Sequence, residues 1–381
     1  MDLKLSDEQL MLQGSLRRLL TDQSTPAVVR KMESDPKGYP PDLWQALTDM
    51  GLPGLNLPEA YGGTGLGALE TAVIYEEFGR ALCPAPHLET AVIGAGIIAA
   101  AGSEAQKQQW LPRIAAGEVI LTPALLEPGN SLSAKGVQLR AEPGTDGYTL
   151  NGEKYFVGYA EAADRLLVLA RSGTGRGEAG INILLVDPKA AGVTLTRTQS
   201  HALDPRYTVT FNNVRVSQSE RIGAEGSGWQ TWGAVSCEAL IAQSAWFVGC
   251  GTRAVELANT YAKERVQFDR VIGSFQAIAH QLADSHTGVT GARYLTWQAA
   301  WARDKGQSDW PRLAATAFLR ASEAARFATR TGQQIFGGVG FTNDLDIQLF
   351  FRRAKQNLVT WADARALEDF IAAELIEGGN C

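Results

Sequence analysis

Residues 149–216 decide the fold: TLNGEKYFV (149–157), LLVLA (166–170), INILLV (181–186), VTLTR (193–197) and YTVTFNNVRV (207–216). Each run is short and rich in β-branched or aromatic residues, the composition of strands. Gly129, the tetrapeptide Gly144-Thr145-Asp146-Gly147 and the pair Asp204-Pro205 punctuate them, as turn residues do. Asn151-Gly152 is the strongest short hairpin signal, so a turn is expected inside the first run. Residues 118–224 therefore read as a small, mostly antiparallel β domain.

Helical pattern flanks this domain on both sides. Towards the N-terminus, Ser6 or Asp7 caps a helix with Leu10, Leu12, Leu16, Leu19 and Leu20 on one side. A second helix follows at 41–50, with Pro41 in its first turn and Gly51 as its stop. Further helices are expected at 68–82, 88–101 and 103–115. Towards the C-terminus, 233–264, 275–303 and 311–335 read as long bundle helices. The predicted fold class is α+β: an N-terminal helical domain (1–117), a β domain (118–224) and a C-terminal helical bundle (225–381).

With 381 residues, 45% of them hydrophobic, the chain can bury a large core in two or three units. A net charge of −6, with basic residues scattered among acids, argues against a nucleic-acid partner. Cys83, Cys237, Cys250 and Cys381 show no CxxC spacing, so no disulfide framework is expected. His87, His201, His280 and His286 contain no HExxH, so no metal is expected. No run of about 18 apolar residues predicts a membrane span. The N-terminus lacks a signal-peptide apolar core, so the expected location is cytoplasmic.

Four ordered motifs carry a family resemblance. They are GLPGLNLPEAYGGTGLG (51–67) with EEFGRAL (76–82), GSEAQKQQWLPRIAAGE (102–118), RVQFDRVIGSFQAIAHQLAD (265–284) and QIFGGVGFTNDLDIQLFFRRAK (334–355). In this order they resemble the acyl-CoA dehydrogenase family over nearly the whole chain. The resemblance implies FAD as cofactor, an acyl-CoA substrate, electron-transfer flavoprotein as acceptor, and a homo- or heterotetramer. The residue chemistry agrees. A dinucleotide diphosphate needs cations and oriented N–H groups. Arg265 offers a guanidinium fork, Phe268 a surface for a flat ring, and Gln267, Gln276 and Gln334 amides. Gly337 and Gly338 let backbone approach a ligand closely. In the family these positions, with Ile272, hold the adenosine-diphosphate half of FAD in a neighbouring subunit.

The catalytic half departs from the pattern. Removing an α-proton while the β-hydride passes to flavin needs a carboxylate base. The family's Tyr-Glu-Gly base loop corresponds here to LVTWADAR (358–365), with Trp361 in the base position. Two carboxylates could substitute. Asp363 follows two residues on, or is a helix N-cap; Glu238 sits where branched-chain members keep their base, or is a first-turn helix acid. LLEPGNSLSAKG (125–136) has Leu126 and Leu132 where the family has hydroxyls. YFVGYA (155–160) keeps an aromatic at Phe156 but has Gly158 for the hydroxyl beside flavin N5. This asymmetry resembles a branch whose members form half of mixed tetramers acting on sterol-type side chains. Three activities stay open: an acyl-CoA dehydrogenase, homomeric or heteromeric; a silent partner subunit holding the ADP half of FAD; or another flavin oxidase or monooxygenase on the same fold. Trp232, Trp246, Trp297 and Trp301 are acyl-cavity residues or plain core.

Overall fold

The computed structural model describes residues 4–129 and 131–377; Asn130 and Cys381 lie outside them. Six helices come first: α1 (Asp7–Gln23), α2 (Pro26–Ser34), α3 (Pro41–Asp49), α4 (Ala68–Ala81), α5 (Ala95–Ala101) and α6 (Glu104–Ala115). Eight strands follow: β1 (Leu121–Ala124), β2 (Arg140–Gly144), β3 (Gly147–Gly158), β4 (Arg165–Arg171), β5 (Ile181–Val186), β6 (Val193–Thr198), β7 (Arg206–Ser217) and β8 (Arg221–Ile222). Then come α7 (Gly228–Glu264), the short strands β9 (Val266–Gln267) and β10 (Arg270–Val271), α8 (Gln276–Asp304), α9 (Trp310–Phe336), α10 (Ile347–Thr360) and α11 (Ala364–Glu377). This is the α+β order that the sequence predicts. No described helix is long and apolar enough to cross a membrane.

By compactness the chain divides into two discontinuous units. The first takes the N-terminal residues up to Val29, Gly67–Cys83 and everything from Leu240 onward; the second takes Arg30–Leu66 and Pro84–Ala239. In the first unit Ser6 caps α1 through a reciprocal box with Gln9. Glycines Gly79 on α4 and Gly249 on α7 let the two backbones touch, since a Cβ at either would collide with carbonyl oxygen of the other helix. Charged side chains tie the helices around that contact. Arg17 forks Glu77 at 2.9 and 2.6 Å, and Arg80 forks Glu256 at 2.6 Å through both nitrogens. Buried Glu76 accepts from Arg293 Nε and Trp297 Nε1, each at 2.9 Å. Trp297 thus donates to a buried acid.

In the second unit the strands form one sheet in the order β6-β7-β3-β2-β4-β5-β8, with β1 added beside β4. Pairing is antiparallel except at β1–β4 and β2–β4. Its core includes Leu139, Leu150, Val168, Leu184, Val209 and Phe211. The turn expected at Asn151-Gly152 is not there. β3 runs straight through that pair, because it must serve β2 on one side and β7 on the other. The hairpin closes instead at Gly144↔Gly147. Gly152 takes φ 138° in a bulge against β7, a second use of glycine in strands. α7 begins at Gly228, five residues before the expected start, so Glu238 is its eleventh residue rather than a first-turn acid.

Candidate functional site

In the first unit, the ends of three long helices meet. Ala258 and Ala262 near the end of α7 pack with Ile335 near the end of α9. Tyr261, Ile272, Ile278, Leu282 and Phe336 surround them. The Tyr261 and Phe336 rings stack at 4.3 Å. This small core brings the residues after α7, the start of α8 and the end of α9 to one place. Arg265 leaves α7 with its N–H bonded to Tyr261 and its carbonyl accepting from Ile272. A two-residue turn then joins β9 to β10, with Phe268 at φ 53° and Asp269 at φ 60°. Such turns favour Asn or Gly at both positions. Phe268 there is strained, and the turn holds its ring 86% exposed.

The same place is rich in exposed donors. Arg265, Gln267, Gln276 and Gln334 are exposed. Helix α8 starts at Gln276 with no side-chain cap and no acid in its first turn. The Ile278 and Ala279 N–H groups bond the Phe275 carbonyl, and the positive end of the helix dipole lies at this start. Gly337 ends α9 at φ 66°, a conformation that suits glycine. A Cβ on Gly337 or Gly338 would meet nothing within 4 Å. Cations, free N–H groups and a bare backbone together suit a diphosphate.

The second unit holds a different cluster, missed in the sequence. Leu88–Gly94 is a π-helical turn, a form that is rare and often functional. Two neighbours of its acid lock it. Buried His87 donates Nε2–H to the Leu52 carbonyl at 3.0 Å; burial pushes its pKa down to about 4, so the ring is neutral. Thr90 bonds both backbone groups of Leu121. Between them Glu89 is 5% exposed. Burial pushes its carboxyl up to about 7, against the pull of Arg206. Arg206 is the cross-strand partner of Gly158. Burial alone would lower its pKa, but Asp204 and Glu89 outweigh that and hold it raised. Its Nε and Nη2 lie 2.9 and 2.8 Å from one carboxylate oxygen of Asp204. Gly158 is flanked by Phe156 at φ 54° and Tyr159 at φ 53°. Backbone strain on both sides of one glycine marks a constrained site. The available signal was an acid inside the apolar run PHLETAVIGAGIIAA, a position where acids rarely sit.

Leu126 is buried on the loop after β1 and Phe156 is 39% exposed in a bulge of β3. That loop is pinned from below. Fully buried Lys154 donates to Glu127 at 2.6 Å and to the Leu125 carbonyl at 3.0 Å. Glu127 also accepts from the Gln138 and Leu139 amides. Of the two proposed bases, Asp363 accepts from the Ala366 N–H at 3.0 Å and caps α11. Glu238 is half-buried on α7. Next to it Cys237 is pushed up to about 11, by burial and then by the Glu238 charge. Cys83, Cys237 and Cys250 are free thiols. Among the described residues no cluster of His, Cys, Asp and Glu could hold a metal.

Family comparisons cover all three segments. The acyl-CoA dehydrogenase N-terminal domain matches residues 6–118, the middle domain 123–214 and the C-terminal domain 239–360. The chain is 31% identical to acyl-CoA dehydrogenase FadE27 of Mycobacterium tuberculosis, over 99% of both chains. Among solved structures it superposes on the ChsE4-ChsE5 complex from Mycobacterium tuberculosis with a TM-score of 0.88, at 29% identity and 99% coverage of each chain. A variant of the Tcur3481-Tcur3483 steroid ACAD gives a TM-score of 0.86 at 31% identity, covering 98% of this chain and 99% of that one.

Proposed function

Because the chain belongs to the acyl-CoA dehydrogenase family, we propose that it is one of two kinds of subunit in a heteromeric, FAD-dependent acyl-CoA dehydrogenase. Its share of the task is to grip the diphosphate of FAD held mainly by the partner subunit. FAD, when bound, would supply the acceptor for the β-hydride of the thioester, with electron-transfer flavoprotein as the external oxidant. In this chain Arg265 and the uncapped start of α8 would neutralise the diphosphate, Gly337 and Gly338 would admit it closely, and Phe268 would cover a flat ring.

The observation that carries this reading is the contrast between the two halves of the cofactor site. The groups assigned to the diphosphate are exposed, and the start of α8 has no side-chain cap. At the flavin-ring half, the three family hydroxyl positions are Leu126, Leu132 and Gly158. A side chain restored at Gly158 would run into Arg206, with its Cβ 2.9 Å from Nη1. The diphosphate fits this chain's residues; the ring does not. Relatives named as two-protein complexes agree with a mixed tetramer, and the steroid ACAD among them favours a bulky, ring-bearing acyl group.

The flavin-to-chain ratio tests it. Purified alone, the chain should carry little FAD; co-purified with a homologous partner, one FAD per two chains. Arg265→Ala should then lower flavin retention at least tenfold. One FAD per chain in a homo-oligomer would overturn the reading. That outcome would favour a second one, in which half-buried Glu238 takes the α-proton in this chain's own site.

A further inference from the structure

Four helix termini surround a cavity in the first unit. There α1 ends at Gln23 and α4 at Ala81, while α2 and α10 begin at Pro26 and Ile347. The cavity they leave holds about 350 Å³. Two helices stop beside it and two start, so their dipoles largely offset and side chains set its charge. Its apolar lining is Leu20, Val29, Leu82, Leu349 and Phe350, all buried. Leu257 of α7 adds a half-buried wall. Three guanidiniums share the lining: Arg17, Arg80 and Arg253. None of these residues belongs to the proposed diphosphate grip.

The three arginines are not equally occupied. Arg17 turns its Nε–Nη2 edge to buried Glu77, at 2.9 and 2.6 Å. Arg80 gives both terminal nitrogens to Glu256. Arg253 meets that same Glu256 through Nη1 alone, at 3.1 Å. One carboxylate thus serves two guanidiniums. Among the described residues nothing accepts from Nε or Nη2 of Arg253, the edge with which Arg17 grips a carboxylate. Two parallel N–H groups on such an edge fit a carboxylate bidentately. The remaining charges limit what else can enter. Glu77 and Asp346 also line the cavity, so a dianion would meet both, and a cation would meet three guanidiniums. A single negative charge matches the one open edge, and an aliphatic tail would cover the apolar wall. We propose that this cavity binds an amphipathic monocarboxylate, a short aliphatic acid whose head sits on Arg253.

Octanoate is the probe, titrated by calorimetry into the purified oligomer. Octanol supplies the tail without the charge, and acetate the charge without the tail. Octanoate should bind once per chain and at least tenfold more tightly than either, a difference of about 1.4 kcal/mol. Saturating butyryl-CoA should leave the octanoate titration unchanged, which separates this cavity from a thioester site. Arg253→Gln removes the open edge while Arg80 still holds Glu256; octanoate should then bind no better than octanol. Leu257→Trp keeps every charge and fills the cavity; it should abolish binding of both. Equal affinity of the wild type for octanoate and octanol would overturn the proposal. So would displacement of octanoate by butyryl-CoA, or an octanoate affinity unchanged in Arg253→Gln. Should a variant unfold, the wild-type comparison and the butyryl-CoA competition still decide.

Discussion

Replacing Glu89 with glutamine should stabilise the protein, by an amount that grows as the pH rises from about 4.5 to 7. The carboxyl titrates at about 7 in the fold, against an ordinary 4.5. The sign follows from proton binding. Between pH 4.5 and 7 the native state holds a proton that the unfolded state releases, so this group's contribution to stability falls as pH rises through that window. Glutamine is neutral throughout and carries no such loss. A difference of about 2.5 pH units at 1.36 kcal/mol each is roughly 3 kcal/mol. The group is almost fully buried, so solvent screening removes little of it. Urea unfolding of wild type and Glu89→Gln from pH 5 to pH 8 measures the effect. The two should nearly coincide at pH 5, and the variant should gain roughly 3 kcal/mol by pH 8. A gap that does not change with pH, or a variant less stable at pH 8, would show that Glu89 is not held as a buried, nearly neutral acid.

Three other outcomes follow from the geometry. Lys154→Met should cost about 3–5 kcal/mol by chemical denaturation, because it leaves Glu127 buried without its cation; adding Glu127→Gln should recover much of that. Gly338→Ala should leave the unfolding midpoint within about 0.5 kcal/mol of wild type, since its Cβ meets open space, yet flavin retention in the oligomer should drop because the diphosphate loses its close approach. Asp363→Asn should preserve both stability and flavin reduction by acyl-CoA, since asparagine caps equally well, while Asp363→Ala should lose about 1 kcal/mol; a fall in reduction rate of a hundredfold or more in Asp363→Asn would restore Asp363 as the base.

Local chemistry made most of the fold legible. Ser6, Pro41 and Gly51 mark helix ends through backbone groups a few residues away, and the long apolar periodicity of α9 needs no distant partner to be read. The residues proposed to grip the diphosphate are marked in the sequence for a similar reason: Arg265, Phe268 and the glycines at 337–338 sit in short motifs whose order along the chain is itself the signal. Their meeting around Ala258, Ala262 and Ile335 is tertiary. Tertiary structure also decided the fate of Asn151-Gly152. A dipeptide that would turn an isolated chain is overruled when both edges of its strand are already paired. Glu89, Gly158 and Arg206 show the limit most clearly. They lie 69 and 48 residues apart in sequence, and each alone looks ordinary: an acid in a helix, a glycine lost from a motif, an arginine after a proline. Only packing a π-helical turn against the β3–β7 pair puts them within reach of one another, and only that burial lifts a common carboxylate towards neutrality. Sequence determines which chemical groups are present and which local shapes they prefer. What those groups face, and whether water is excluded when they do, is set by contacts between distant segments.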